Sequence, residues 1–237
     1  MTEKKERIAK IMAAAGLCSR RDAERWIMAG RVVVNGKVLT TPAYVIGPDD
    51  IVTVDGKPLG EKQPRRVWCY HKPAGLITSN RDPEGRPTIF DKLPKSLPRV
   101  VTVGRLDFNS EGLLLLTTDG ELARELELPQ KGWKRKYRVR VHGTVTPEII
   151  KHLNQGVQIK GVCYAPCTLE IERVQNTNTW VLMTLTEGKN REIRRLMEFF
   201  GLPVTRLIRV SYGPFQLGNL PPGSIREIPQ KTLKELL

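Results

Sequence analysis

Histidine and cysteine are scarce in this chain, and the scarcity removes several chemistries at once. His71, His142 and His152 lie far apart, so no Ser-His-Asp arrangement can be read from spacing. The cysteines are Cys18, Cys69, Cys163 and Cys167; only the last two are close, and no second pair or nearby histidine completes a zinc site. No metal is therefore expected, and the thiols read as reduced and mostly buried. Long apolar runs are missing too, none approaching the roughly 20 residues that span a bilayer. Met1-Thr2-Glu3-Lys4-Lys5-Glu6 does not lead into a signal peptide. A basic amphipathic helix or a lipidation motif would favour an anionic membrane surface, and neither is found. The expectation is a soluble, cytoplasmic protein with no membrane partner.

Acid is also in short supply. The 237 residues hold 39 Lys+Arg against 25 Asp+Glu, a net charge of +14. That length allows one large domain or two. That balance suits a polyanionic partner, nucleic acid first. Residues 1–60 carry ten basic and seven acidic side chains, so most of the excess lies further along the chain.

The first sixty residues read as two short helices and a small set of strands. Ile8, Ile11, Met12 and Ala15 recur at helical spacing over 6–15, and Gly16 ends that helix. Ser19 is placed to cap a second helix carrying Ala23, Trp26 and Ile27 on one face, with Arg20, Arg21 and Arg25 beside them. Asn35-Gly36 turns a hairpin between Val32-Val33-Val34 and Lys37-Val38-Leu39, and 51–54 forms a further strand. The polar stretch Pro58 to Arg66 then reads as a linker, with residues 61–66 separating a domain at 1–60 from a larger one at 67–237.

Within the larger part the organising stretch runs from Arg99 to Glu127. Val100-Val101-Thr102-Val103 and Leu113-Leu114-Leu115-Leu116 are short apolar runs of the kind that make buried strands. Between them lies a loop bounded by Gly104 and Gly112 and carrying Arg105 and Asp107. Such a loop is a rigid mount for a reactive side chain. An aspartate beside Asn109, Ser110 and Gly112 is equally a turn former, and local composition leaves both readings open. A helix is expected over 121–128.

Basic residues recur on both sides of this loop. The proline-rich stretch 71–99 offers Arg81 and Arg86, either as a phosphate-gripping loop or as a surface excursion. Lys131 to Arg140 holds six basic residues and no acid. Its alternation from Lys136 to Val141 predicts a strand with Tyr137, Val139 and Val141 on one face. Tyr137 there is a core residue or a platform on which a base stacks. Strands follow at 169–174 and 180–186. Ile193, Leu196, Met197 and Phe200 then mark one face of a helix ended by Gly201, before a strand pair at 204–210 and 215–217. At 100° per residue Arg194 sits at the margin of that apolar face, about 60° from Met197, and Arg195 points away. Arg194 is therefore expected to turn inward towards a carboxylate.

These motifs carry a family resemblance. Gly16-Leu17-Cys18-Ser19-Arg20-Arg21-Asp22-Ala23-Glu24 with Gly30 to Gly36 resembles the S-four-type RNA-binding domain, which implies Arg20, Arg21, Arg25 and Lys37 as phosphate contacts. Gly104-Arg105-Leu106-Asp107 with Gly112 to Leu115, Lys136-Tyr137, and Gly188-Lys189-Asn190-Arg191-Glu192-Ile193-Arg194 resemble, in order and spacing, the three signature motifs of pseudouridine synthases. Asp82 to Thr88 and Leu185 to Glu192 are most similar to the large-subunit (RluB-type) members of the branch that modifies ribosomal RNA.

The resemblance implies an α+β protein: a small N-terminal α/β RNA-binding domain, then a mixed, largely antiparallel sheet flanked by helices and loops. It implies Asp107 as the catalytic carboxylate, Tyr137 as the active-site tyrosine, Arg194 as the basic partner and Ile193 as the apolar residue beside it. Arg105 would hold the target nucleotide out of its stack, and Lys189 and Arg191 would contact RNA. Asp107 as nucleophile and as base on the sugar both fit. The implied partner is a ribosomal RNA stem-loop with a flipped-out uridine, met by a monomer without cofactor. The same chemistry on small-subunit or transfer RNA, and a non-catalytic RNA-binding factor for ribosome assembly, are the alternatives.

Overall fold

In the computed structural model, which describes residues 5–128 and 132–237, β-branched runs and turn dipeptides set the N-terminal architecture. Glu6–Arg7 (β1) leads directly into Ile8–Ala14 (α1). Ser19 caps Arg20–Met28 (α2) by accepting the Asp22 amide at 3.0 Å, a bond worth about 1 kcal/mol. Val32–Val34 (β2) and Lys37–Val38 (β3) are joined by Asn35-Gly36, both at positive φ, as a tight hairpin turn requires. Val45–Ile46 (β4) pairs with β1, so the first helix begins two residues later than its apolar spacing suggests. Val52–Val54 (β5) turns through Asp55-Gly56 into Lys57–Pro58 (β6), and the order β3-β2-β5-β6 makes a small sheet. Ile8, Met12, Ala23 and Ile27 of the helices meet Val32, Val34, Val52 and Val54 of the strands in one buried core.

Among the described residues, the remaining elements are a nine-stranded sheet, a separate two-stranded hairpin and four helices. They are Val67–Lys72 (β7), Val101–Val103 (β8), Glu111–Thr117 (β9), Gly120–Glu127 (α3), Arg135–His142 (β10), Pro147–Gln155 (α4), Val157–Ile159 (β11), Val162–Tyr164 (β12), Thr168–Gln175 (β13), Asn178–Leu185 (β14), Glu192–Phe199 (α5), Val204–Tyr212 (β15), Phe215–Gln216 (β16), Ile225–Glu227 (β17) and Gln230–Leu236 (α6). The strand order is β13-β14-β10-β15-β9-β7-β17, with β16 beside β15 and β8 beside β9. β10 runs antiparallel to both β14 and β15, while β15 and β9 are parallel. A strand flanked on both sides inside a sheet and covered on both faces reads as a continuous apolar run, and Leu113 to Leu116 are all fully buried. Val139, Val141, Met183, Leu196, Met197 and Leu207 form the core beneath α5.

The sheet is mixed and mostly antiparallel, as the α+β expectation had it. Helix α4, the β11–β12 hairpin and the edge strand β17 were not anticipated from the sequence. Backbone packing divides the chain into two units: residues up to 66 with 95–101 and 117–122, and residues 67–94, 102–116 and 123 onward.

Candidate active site

The loop between β8 and β9 is held carbonyl by carbonyl. Thr78 Oγ1 donates to the carbonyl of Leu106 at 2.8 Å, and the Ser110 amide donates to that of Asp107 at 3.0 Å. The Phe108 carbonyl accepts from the Gly75 amide at 2.8 Å. Arg194 Nη2 donates to the Asn109 carbonyl at 3.1 Å. Lys72, fully buried at the end of β7, donates to the carbonyls of Ser110 at 2.8 Å, Pro73 at 2.9 Å and Phe108 at 3.3 Å. Every carbonyl from Leu106 to Ser110 is thus engaged, and the loop has little freedom to move the Asp107 side chain. Burial pulls the Lys72 ammonium down to about 8, with the charges of Asp107 and Glu111 opposing the fall.

The Asp107 carboxylate, one-third exposed, meets Arg191 rather than Arg194: Arg191 Nη1 lies 3.7 Å from Asp107 Oδ2. Arg194 does turn inward, but its hydrogen bonds go to backbone, Nη1 to the Val204 carbonyl at 3.3 Å and Nη2 to that of Asn109. The expected pairing of Arg194 with the carboxylate is corrected accordingly. Burial and the Arg191 charge together lower the Arg194 guanidinium from its ordinary value, while Asp107 raises it.

Arg191 gains its reach by leaving the helix. It is the N-cap of α5 in the left-handed region, φ 52°, a costly conformation for a side chain of its size. Glu192 stabilises this turn, its buried Oε2 accepting the Lys189 amide at 2.8 Å. Burial pushes the Glu192 carboxyl well up, and the neighbouring Glu187 charge adds to the rise.

These groups line a cleft of about 590 Å³, a volume in the range of small-ligand sites. Tyr137 stands in its wall, half-buried and packed on the core. The register of β10 against β15 slips between Lys136 and Tyr137, so that Tyr137 faces Arg209. Bulges of this kind re-aim side chains beside binding sites. Leu207 and Arg209 share the cleft with Tyr137, as do Arg135 and Tyr212, whose ring lies 4.9 Å from Arg135 Cζ and 5.0 Å from Arg209 Cζ. Ile193 is buried and lines the cleft from α5.

Arg105 is exposed at the cleft with no protein partner among the described residues. Lys189 also lines it, ion-paired with Glu187. Arg86 closes on its own loop, bonded to both oxygens of Asp82 at 2.9 Å, so it is no free phosphate grip. On α2, Arg20 and Arg21 are exposed, and Arg25 is held by Asp22. Lys37 is exposed in the Asn35-Gly36 hairpin. Lys131, first of the basic run, lies outside the described residues. Lys72, Arg209 and Arg135 escaped the sequence reading. For Arg209 a signal existed: it shares strand parity with Leu207 and Ser211, all three buried, so a cation stands on the inward face.

The family profile of RNA pseudouridylate synthase matches residues 66–199, and that of the S4 domain matches residues 6–52. An uncharacterised RNA pseudouridine synthase of Rickettsia bellii is 48% identical, covering 97% of this chain and 99% of its own. Ribosomal large subunit pseudouridine synthase B of Yersinia pestis is 45% identical over 98% of this chain and 76% of its own. A crystal structure of a pseudouridylate synthase superposes with a TM-score of 0.69 at 26% identity, covering 98% of this chain and 99% of that one.

Proposed function

The chain belongs to the RNA pseudouridylate synthase family, and from that premise we propose that it converts uridine to pseudouridine at a defined position of large-subunit ribosomal RNA. The relatives that bear a large-subunit name support the choice of RNA. The observation that carries the chemical reading is Asp107, on a loop with every carbonyl engaged, facing Arg191 across 3.7 Å in the cleft that also holds Tyr137.

The reaction is an isomerisation. The N1–C1′ bond of uridine breaks, uracil leaves with the bonding electrons, and after rotation its C5 bonds to C1′. C5 gives up a proton and N1 gains one, so atoms and charge balance without an oxidant or reductant. Asp107 acts at the ribose, and the facing Arg191 guanidinium fixes the direction of its carboxylate. Tyr137 offers a stacking face that keeps the detached uracil in place. Arg194 keeps the loop in position, Ile193 closes the cleft wall, and Arg105 at the mouth holds the nucleotide extruded from its stem-loop.

Residues 1–60 serve capture, with Arg20, Arg21 and Lys37 towards phosphate, and 61–66 connect them to the catalytic domain at 67–237. The enzyme acts as a monomer. No described helix is long and apolar enough to cross a membrane, and we place the enzyme in the cytoplasm.

The test is tritium release from large-subunit ribosomal RNA labelled at uridine C5, since bond formation there expels that hydrogen. Wild type should release label, and Asp107→Ala should release none while binding the RNA within a few-fold of wild type. Equal loss of binding and turnover would mean that Asp107 serves recognition, not chemistry.

A further inference from the structure

Arg209 is a buried arginine without an acid. Its residue surface is 3% exposed, and no carboxylate pairs with it among the described residues. Nε donates to the Leu113 carbonyl at 2.7 Å, and Cζ lies 5.0 Å from the centre of the Tyr212 ring. These two anchors fix the guanidinium, yet Nη2 is buried and has no acceptor. Burying a charged donor unpaired is costly, and such a group in a cleft wall is built for something that arrives later. The backbone fixes its place as well: Arg209 pairs with Gly112, where an added Cβ would meet the Arg209 carbonyl oxygen at 2.2 Å. Across β10, Arg209 faces Tyr137, so both side chains leave the sheet on the same side, towards the cleft.

We propose that Arg209 Nη2 donates a hydrogen bond to a carbonyl oxygen of the target uracil, and that one fixed donor serves the base both before and after its rotation. This rests on the pseudouridine reading above. Turning uracil by half a turn about its N3–C6 axis exchanges N1 with C5, as the reaction demands. The same turn exchanges O2 with O4. A donor that meets one carbonyl in the substrate orientation therefore meets the other in the product orientation, and the intermediate keeps its anchor throughout. Cytosine carries an amino group at C4, so one of its two orientations sets N–H against the guanidinium. Arg209 is then also a specificity determinant for uridine. A phosphate partner fits less well, because Arg209 stands opposite Tyr137 on the same face of the sheet, the tyrosine proposed above as the platform for the base.

Three large-subunit ribosomal RNA transcripts test this: one with uridine, one with 2-thiouridine and one with 4-thiouridine, each tritiated at C5. Single-turnover release is measured at saturating enzyme for wild type and for Arg209→Gln. Glutamine keeps an N–H near the position of Nε for the Leu113 carbonyl and lacks the guanidinium head. Sulfur is a weak acceptor, so wild type should slow about ten-fold or more on a thio transcript, the loss of one charge-assisted hydrogen bond. Arg209→Gln should be comparably slow on uridine and indifferent to sulfur within two-fold. Wild-type rates equal on all three transcripts would overturn the proposal, as would a full sulfur effect persisting in the variant. Arg209→Met carries the same comparison if the glutamine variant does not fold. No release by wild type from the uridine transcript would instead sink the pseudouridine reading, and this inference with it.

Discussion

Two arginines face the Asp107 loop and hold different parts of it. Arg191, half-exposed, reaches the carboxylate, whereas Arg194 ties down the carbonyls of Asn109 and Val204. Arg191→Ala should lower single-turnover rate by about ten- to a hundred-fold through loss of carboxylate orientation, with the melting temperature unchanged. Arg194→Ala should lower both, since two carbonyls lose a charged donor, with about 2–3 kcal/mol of unfolding free energy lost. Parallel rate measurements and denaturant titrations decide between the roles; an Arg194→Ala protein as stable as wild type yet inactive would restore direct action on the carboxylate. The sequence made Asp107 legible through its glycine-bounded loop and ordered motifs. It did not make the choice of arginine legible, for a physical reason. Helical-wheel geometry describes residues inside a helix, and Arg191 stands at the N-cap with positive φ, where the wheel has no meaning.

At the scale of elements, β7 supplies the mount from beneath. Its burial is continuous from Val67 to Lys72, which places an ammonium in the interior for the sake of three carbonyls. The linkage follows from the direction of its shift. The Lys72 pKa falls from an ordinary 10.5 to about 8 in the fold, so between those values the unfolded chain holds a proton that the folded chain has released. Stability contributed by this group therefore rises with pH across that window, by about 3 kcal/mol at most. Urea titrations of wild type and Lys72→Met from pH 7.5 to 10.5 should show the difference between them moving in favour of wild type as pH rises. Parallel curves would mean that Lys72 keeps its ordinary pKa in the fold. Burial raises the Cys69 thiol and the Tyr70 phenol, whose effects run the other way but cancel in the difference. Elements of this sheet were legible in proportion to their pattern. The four leucines of β9 and the alternation of β10 announced themselves, while β17 has one apolar residue and pairs only at the edge. Helix α4 carried usable signs, Pro147 at its start and Gly156 at its end, but Ile149, Ile150 and Leu153 make only a short stripe.

Over the whole molecule, the excess of 39 basic over 25 acidic residues sets how RNA is met. This was legible from composition alone, but its allocation was not, because a cation counted in sequence can be spent on a neighbouring acid. Arg25 on Asp22, Arg86 on Asp82 and Lys189 on Glu187 are such cases. Arg20 and Arg21 are exposed and without protein partners among the described residues, which makes them available to phosphate. Each phosphate they neutralise releases counterions, so affinity should fall with salt at a slope of about 0.7 to 0.9 per contact in log–log form. The double variant Arg20→Ala, Arg21→Ala should flatten that slope by up to about 2 and weaken binding at low salt. Its single-turnover rate at saturating enzyme should match wild type, because neither residue lies in the cleft. Filter binding across a salt series, with tritium release on the same RNA, reads both quantities. A slope unchanged from wild type would remove these arginines from the RNA surface, and a lowered saturating rate would mean that capture and chemistry are coupled through the orientation of the bound RNA.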